Sequence, residues 1–115
     1  MIKKLYKICS KDEWSEAKKL TVFLGSKIDK RDGYIHLSSG NQVHETAKIH
    51  FNGKEGLVLL EIKTDKLQIT WEKSRNDNLF PHLYGVLPTA EVTRECTLVL
   101  DENNNHILPS WLDVN

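Results

Sequence analysis

The segment 32–39, with the sequence DGYIHLSS, constrains the fold most, because a strand pattern there leads straight into a helix signal. Side chains in a strand alternate between two faces, so Tyr34, His36 and Ser38 share one face while the aliphatic residues between them can be buried on the other. A phenol, an imidazole and a hydroxyl in one row indicate a site. We therefore expect the functional part of the chain to be built around this strand.

The polar residues on either side of this strand predict its connections. The run 29–33, DKRDG, is predicted as a polar turn that leads into a strand over 34–38. Ser39, with Gln42 three residues later, forms a capping-box pattern that predicts a helix from about residue 40 to residue 51. The expected unit is a strand, a tight turn and a helix, with two serines at the junction.

A second capping box near the start of the chain predicts the other main helix. Ser10 and Glu13 form this pattern, and the helix should end near residue 20. Its inner face would carry Trp14, Ala17 and Thr21, which recur at helical spacing. The sequence therefore predicts two main helices.

Short apolar or alternating runs bounded by turn residues predict the strands. The apolar run 57–62, LVLLEI, is predicted as a central strand that pairs with 67–72 through a turn at 64–66. The segment 74–84 has no period of either kind and is predicted as a packed loop, a kind of segment that is often functional. The other predicted strands are 3–9, 90–93 and 97–100, followed by an exposed turn over 101–105 and a packed tail over 107–112.

The bulk properties of the chain exclude several classes of protein. Its 115 residues predict a single domain over 1–115, and the mixed elements predict an α+β fold. Sixteen basic and sixteen acidic residues cancel, which argues against long nucleic acid or membranes as partners and favours a small substrate. Cys9 and Cys96 are too few for a disulfide framework and are predicted as buried thiols. With no apolar run long enough to span a membrane, we expect a cytoplasmic location.

The segment 71–85 supplies the other reactive side chains. His82 could belong to a site, or the segment around it could simply close the end of the sheet. Glu72 could take a proton or stabilise positive charge, or it could be a solvated strand carboxylate. Arg75 could hold a phosphate with its planar guanidinium group, or it could be a surface charge. For His36 also, a role as general base or ribose ligand competes with that of a core histidine.

Motifs for metal and nucleotide-loop chemistry are absent from the sequence. His44 and His50 are six residues apart, which places them on different faces of a helix, and there is no HExxH motif or cysteine quartet. We therefore predict no metal site. Walker, GxGxxG and GxSxG motifs are also missing, which argues against P-loop, Rossmann and α/β-hydrolase folds.

Four strings occur along the chain in this order: DGYIHLSS, LVLLEI, WEKSR and FPHLYGVL. Together they resemble the bacterial and plant proteins grouped as domain of unknown function 952. That family has no assigned activity, but it is similar in fold to the ADP-ribosyltransferases and the RNA 2'-phosphotransferases. Those enzymes share a small split β-sheet with helices and bind NAD in the cleft. The resemblance therefore implies an ADP-ribosyltransferase-like split sheet that binds NAD or a related nucleotide.

The resemblance also implies roles for the candidate residues. An H-x-S/T-like strand motif holds the adenosine ribose in those enzymes, and His36 and Ser38 look like its counterpart. Either Tyr34 or Tyr84 would then stack on a ring of the ligand. The residues expected to act on phosphate or on the reacting sugar are His82, Glu72 and Arg75.

Two hypotheses follow. In the first, the cleft binds NAD or a related small nucleotide, and the domain is a transferase with NAD as its substrate. In the second, it is a non-catalytic binding or interaction module on the same fold. The first requires the segments around residues 36 and 82 to converge on a shared hollow, whereas the oligomeric state is left open.

Overall fold

The computed structural model describes residues 4–114, with the side chain of Arg75 outside the described part. Over this range the chain forms three α-helices and nine strands, which confirms a mixed α+β fold. One more helix is present than the sequence predicted. The elements are β1 (Lys4–Ser10), α1 (Lys11–Leu20), β2 (Val22–Phe23), α2 (Lys27–Asp32), β3 (Ile35–His36), α3 (Val43–His50), β4 (Leu57–Lys63), β5 (Ile69–Lys73), β6 (Leu79–Leu83), β7 (Leu87–Pro88), β8 (Val92–Leu100) and β9 (His106–Ile107).

The described strands form antiparallel sheets, and the bridge between Tyr6 and Ser38 joins two of them along a line that we call the seam. A four-stranded sheet has the order β1-β4-β8-β9, a three-stranded sheet has the order β3-β6-β5, and β2 pairs with β7. The backbones of Tyr6 and Ser38 exchange two hydrogen bonds, at 2.8 and 2.9 Å. Because Ser38 lies only two residues after the end of β3, this bridge joins the small sheet to the large one.

Strand β4 lies inside the large sheet, as its apolar run predicted, and both of its faces are buried. Val58, Leu60 and Ile62 belong to one apolar cluster, whereas Leu57 and Leu59 belong to another. The first cluster lies under α1 and the second under α3. Burial on both sides explains why this strand shows no alternation between apolar and polar residues.

The partner predicted for the segment 67–72 is wrong. Strand β5 pairs with β6, with Trp71 opposite Pro81, and not with β4. The segment 79–83, predicted as part of a loop, is the middle strand of the small sheet. Four of its five residues are buried, so its pattern has no period of two, and a proline in a middle strand is unusual. The carbonyl of Pro81 still accepts a hydrogen bond from the Leu37 N–H at 3.0 Å.

The polar turn predicted over 29–33 is also wrong, because helix α2 runs through most of it. Ser26 is its N-cap, and the hydroxyl of Ser26 accepts from the Asp29 N–H at 3.3 Å. In return, the Asp29 carboxylate accepts from the Ser26 N–H at 2.8 Å. Gly33 ends the helix with a φ of 87°, a conformation that glycine adopts without a steric penalty. An aspartate thus takes the place that glutamate or glutamine usually has in a capping box.

The two predicted helices form with changes at their ends. Helix α1 has the expected capping box and buries Trp14 and Ala17, but Thr21 is exposed at its C-cap in a left-handed conformation. Helix α3 begins at Val43 and not near residue 40. The Gln42 side chain accepts from the Ser39 N–H, but the Ser39 hydroxyl bonds to Asn41, so only half of that capping box forms.

The last third of the chain differs from its prediction in one respect. The segments 90–93 and 97–100 belong largely to one strand, β8. The pairing of β8 with β4 is irregular where Glu61 pairs with Arg94 but the next residue, Ile62, pairs with Val92. The exposed turn and the packed tail are confirmed, since Trp111 and Leu112 pack against the cluster under α3. Of the predicted buried thiols, Cys9 is buried and Cys96 is half-buried. None of the helices in the described part of the chain has the length and apolar character to cross a membrane.

The tail crosses the loop before α3 at very close range. Tyr6 donates to Glu61 at 2.9 Å and accepts from the Asp113 N–H at 2.9 Å, so a buried hydroxyl holds the tail. A Cβ atom added to Gly40 would lie 1.6 Å from the carbonyl oxygen of Asp113. Backbone occupies the space, so no side-chain rotation can relieve this contact.

We therefore expect Gly40→Ala to displace the tail and to lower the free energy of unfolding by about 2 kcal/mol, the typical cost of overpacking. Urea unfolding followed by tryptophan fluorescence measures both effects, because Trp111 lies in the tail. Gly53→Ala is the control, since its added methyl group meets nothing within 4 Å although its φ of 74° is unfavourable. A tail signal that changes equally in both variants would contradict the predicted contact.

Candidate functional site

The two histidines singled out by the sequence lie side by side on the small sheet. His36 of β3 is directly opposite His82 of β6, so their side chains project from the same face. Their ring centroids are 5.7 Å apart, in an edge-to-face arrangement. The expected convergence of the segments around residues 36 and 82 is therefore confirmed.

Tyr34 covers His82 from the solvent side. The two rings are stacked, with centroids 4.0 Å apart and an angle of 23° between their planes. Tyr34 also contacts His36 at 4.7 Å and Tyr84 at 5.4 Å. This aromatic cover leaves only 3% of the His82 side chain exposed. The ring of His82 is thus held in one orientation within the sheet.

Glu72 contacts the Nδ1 edge of the His82 ring. Its Oε1 accepts from the Tyr84 hydroxyl at 2.7 Å and lies 2.7 Å from Nδ1 of His82. The hydrogen bond from Tyr84, followed by that from His82, holds the pKa of Glu72 below its ordinary value. The same bond raises the pKa of Tyr84. A charged Glu72 therefore favours the tautomer of His82 with a proton on Nδ1.

Asp29 holds His36 from beneath, and it is almost fully buried, with 2% of its side chain exposed. Its Oδ1 lies 2.6 Å from Nδ1 of His36 and accepts from the His36 N–H at 3.0 Å. Lys7 donates to both carboxylate oxygens, at 3.0 and 2.8 Å. Burial raises the pKa of Asp29, but the hydrogen bonds from His36 and the charge of Lys7 have the larger effect. They hold the pKa of this carboxyl well below its usual range.

Asp32 contacts the remaining nitrogen of the His36 ring. Its Oδ2 lies 3.0 Å from Nε2 of His36, while its Oδ1 accepts from Nε of Arg31 at 3.0 Å. Both ring nitrogens of His36 therefore face carboxylates, and when both carry protons they can donate to both. In contrast to Asp29, Asp32 lies at the surface.

An open cavity of about 500 Å³ lies beside the two histidines, against the seam between the sheets. Four of the predicted site residues line it, namely Tyr34, His36, Ser38 and His82. Glu72 and Tyr84 are described but do not belong to its lining, and the side chain of Arg75 lies outside the described part. The remaining lining includes the cationic side chains of Lys7, Arg31 and Lys54 and the aromatic rings of Tyr6, Phe51 and Phe80. In the part of the chain that the structure describes, no three histidine, cysteine or acidic side chains are placed to hold a metal ion.

The sequence analysis missed the residues that position His36. Asp29 and Asp32 were assigned to a turn, although the capping pattern between Ser26 and Asp29 could have placed a helix there. Lys7 also carried a signal, because it shares the face of β1 that holds the buried Leu5 and Cys9. A lysine on an apolar strand face needs a buried partner of opposite charge. These two signals together point to the ion pair between Lys7 and Asp29.

We expect Asp29→Asn to lower the free energy of unfolding by about 3 kcal/mol at pH 7, because it leaves Lys7 buried without its counter-ion. The pKa of Asp29 is lowered on folding, so its stabilisation is complete above its unfolded pKa of about 3.9 and is lost as the pH falls towards the folded value. The difference between the variant and the wild type should therefore shrink below about pH 4. Urea unfolding at pH 7, 5 and 3 measures it.

Asp65→Asn, in an exposed turn, is the matched control and should change little at any of these pH values. An equal difference at pH 3 and pH 7 for Asp29→Asn would show that the charge of Asp29 does not contribute the stabilisation.

The fold has counterparts among known structures. The crystal structure of protein CC0527 from Caulobacter crescentus is similar, with 45% sequence identity, a TM-score of 0.86 and coverage of 90% of this chain and 93% of that chain. Its solution NMR structure is 46% identical, over 89% and 90% of the two chains, with a TM-score of 0.80. No curated protein matches this chain. Residues 8–95 match the family described as protein of unknown function, DUF952. As the sequence resemblance predicted, this chain belongs to the DUF952 family.

Proposed function

We propose that the cavity beside His36 and His82 binds NAD, ADP-ribose or a related nucleotide, and that the domain is a transferase of the ADP-ribosyltransferase-like kind. The observation that carries this proposal is an open, ligand-sized cavity with both imidazoles in its lining. Pockets for small ligands usually have volumes of roughly 300–1,000 Å³. The volume of about 500 Å³ suits one nucleotide unit.

The position of the cavity within the fold supports a nucleotide ligand. Two antiparallel sheets meet at the bridge between Tyr6 and Ser38, which fits the split sheet that the resemblance implies. His36 and Ser38 lie at this seam and both line the cavity. In the proposal they bind the adenosine ribose, and Tyr34, whose ring already stacks on His82, offers an aromatic surface to the ligand.

The contact between Glu72 and His82 supports a catalytic role for His82. Glu72 holds Nδ1, so Nε2 is the nitrogen that can exchange a proton with a ligand in the cavity. No side chain in the described part of the chain bonds to that Nε2 atom. Glu72 then acts through His82 and not directly on the reacting sugar. Tyr84 belongs to the same array, and Arg75 remains a predicted phosphate ligand.

A non-catalytic binding module on the same fold is the second candidate. It is favoured by the two carboxylates that occupy both ring nitrogens of His36, and by the position of Glu72 outside the cavity lining. It is opposed by the open cavity, because Phe80 and Trp71 do not close the cleft. Phe80 lines the cavity beside His36 and His82, and Trp71 does not line it. The free thiols of Cys9 and Cys96 suit the proposed cytoplasmic location in both candidates.

Calorimetric titration with NAD and with ADP-ribose tests the binding part of the proposal. We expect the wild type to bind at least one of them, and His36→Ala to weaken binding about tenfold or more, which corresponds to the loss of one hydrogen bond. His44→Ala is the matched control, because His44 is exposed on α3 and does not line this cavity. The absence of binding by the wild type, or equal affinity in His36→Ala, would contradict the proposal.

Product analysis separates the transferase from the binding module. His82→Ala and Glu72→Gln should both slow turnover of the bound nucleotide, and Glu72→Gln should leave its affinity nearly unchanged, because Glu72 lies outside the cavity lining. Tight binding by the wild type without any turnover would favour the module.

A further inference from the structure

We propose that Asp32 occupies a phosphate subsite between Arg31 and His36, and that a phosphate group of the ligand displaces it on binding. This inference rests on the proposed function in one respect, since it places the phosphate in the same cavity. It assigns Nε2 of His36 to the phosphate and leaves Ser38 to contact the ribose. Arg31, Asp32 and His36 all line that cavity. The chemical group that the subsite recognises is a phosphate or diphosphate.

The contacts of Asp32 are those that a bound phosphate would make. One carboxylate oxygen accepts from Nε of Arg31 at 3.0 Å, and the other lies 3.0 Å from Nε2 of His36. A planar guanidinium group and an imidazole are common partners of phosphate oxygens. The hydrogen bond from Arg31 also holds the pKa of Asp32 below its ordinary value, so this side chain is an anion at neutral pH.

The two aspartates around His36 differ in how firmly they are held. Asp29 is buried and receives backbone hydrogen bonds as well as the charge of Lys7. Asp32 is 27% exposed, and its partner Arg31 is 72% exposed. Exposed ion pairs of this kind contribute little to stability, because solvent screens their charges. Displacing Asp32 therefore costs little, whereas displacing Asp29 would uncover a buried lysine.

The charges around the cavity favour an anion once Asp32 has moved away. Lys7 and Asp29 neutralise each other at 2.8 Å. Among the described residues that line the cavity, Asp29 and Asp32 are the carboxylates, and Arg31 and Lys54 are the other cationic side chains. With Asp32 turned outwards, the cavity presents Arg31, His36 and Lys54 to the ligand. Such a set suits a group that carries two negative charges.

Titration with inorganic pyrophosphate tests the subsite without the rest of the nucleotide. Asp32→Asn keeps the shape of the side chain and removes its charge, so we expect it to bind pyrophosphate about fivefold more tightly than the wild type. Arg31→Gln should bind it more weakly. Asp65→Asn and Lys30→Gln are the matched controls, because both remove an exposed charge that does not line the cavity, and they should leave the affinity unchanged.

Weaker or unchanged pyrophosphate binding in Asp32→Asn, or equal changes in the two controls, would overturn the subsite. Circular dichroism and thermal unfolding of each variant show that it is folded, so a loss of structure cannot imitate either result. Tighter pyrophosphate binding by Asp32→Asn, with no binding of NAD or ADP-ribose by any variant, would support the subsite and contradict the proposed function. Binding of ADP-ribose with equal affinity by the wild type, Asp32→Asn and Arg31→Gln would support the proposed function and contradict the subsite.

Discussion

The buried carboxylate of Asp29 holds the site together. It is the N3 residue of the capping box of α2, the counter-ion of Lys7 in β1 and the partner of both the backbone and the ring of His36 in β3. One side chain thus connects the neighbouring segments α2 and β3 to β1, whose Lys7 lies 22 residues before Asp29. Because Lys7 is nearly buried and the backbone N–H groups of Ser26 and His36 also donate to this carboxylate, losing it would leave polar groups without partners. The orientation of His36 depends on this arrangement.

The seam between the two sheets places the histidine beside open space. Residues 35–38 pair first with β6, through Ile35, His36 and Leu37, and then with β1, through Ser38. A chain that changes from one sheet to another leaves a hollow where the sheets diverge, and the cavity lies there. His82 enters the same hollow because it is paired with His36 across the small sheet. The geometry of the site is therefore a consequence of strand pairing, and side chains such as Glu72 and Tyr34 then fix the rings.

The parts of the fold that depend on neighbouring residues could be predicted from the sequence. Ser10 and Glu13 form a capping box whose partners are three residues apart, and the apolar run of β4 needs no knowledge of its partners. Strand β6 could not be recognised, because burial on both faces removes its period and Pro81 argues against a middle strand. The pairing of β5 was also misjudged, since the choice of partner depends on tertiary contacts. The meeting of His36 and His82 was a requirement of the first hypothesis, and the strand pairing that produces it could not be read from the sequence. The role of Asp29 depended on helix α2, which the sequence analysis had predicted as a polar turn.

Nuclear magnetic resonance of the ¹⁵N-labelled protein tests the central claim, that a nucleotide binds at the seam beside His36 and His82. Addition of ADP-ribose should shift the backbone amide signals of residues 34–38 and 79–83 most strongly, and should leave those of residues 97–100 in β8, which do not line the cavity, unchanged. Shifts confined to β8 and β9, or no shifts at saturating concentrations of ADP-ribose and of NAD, would contradict the claim.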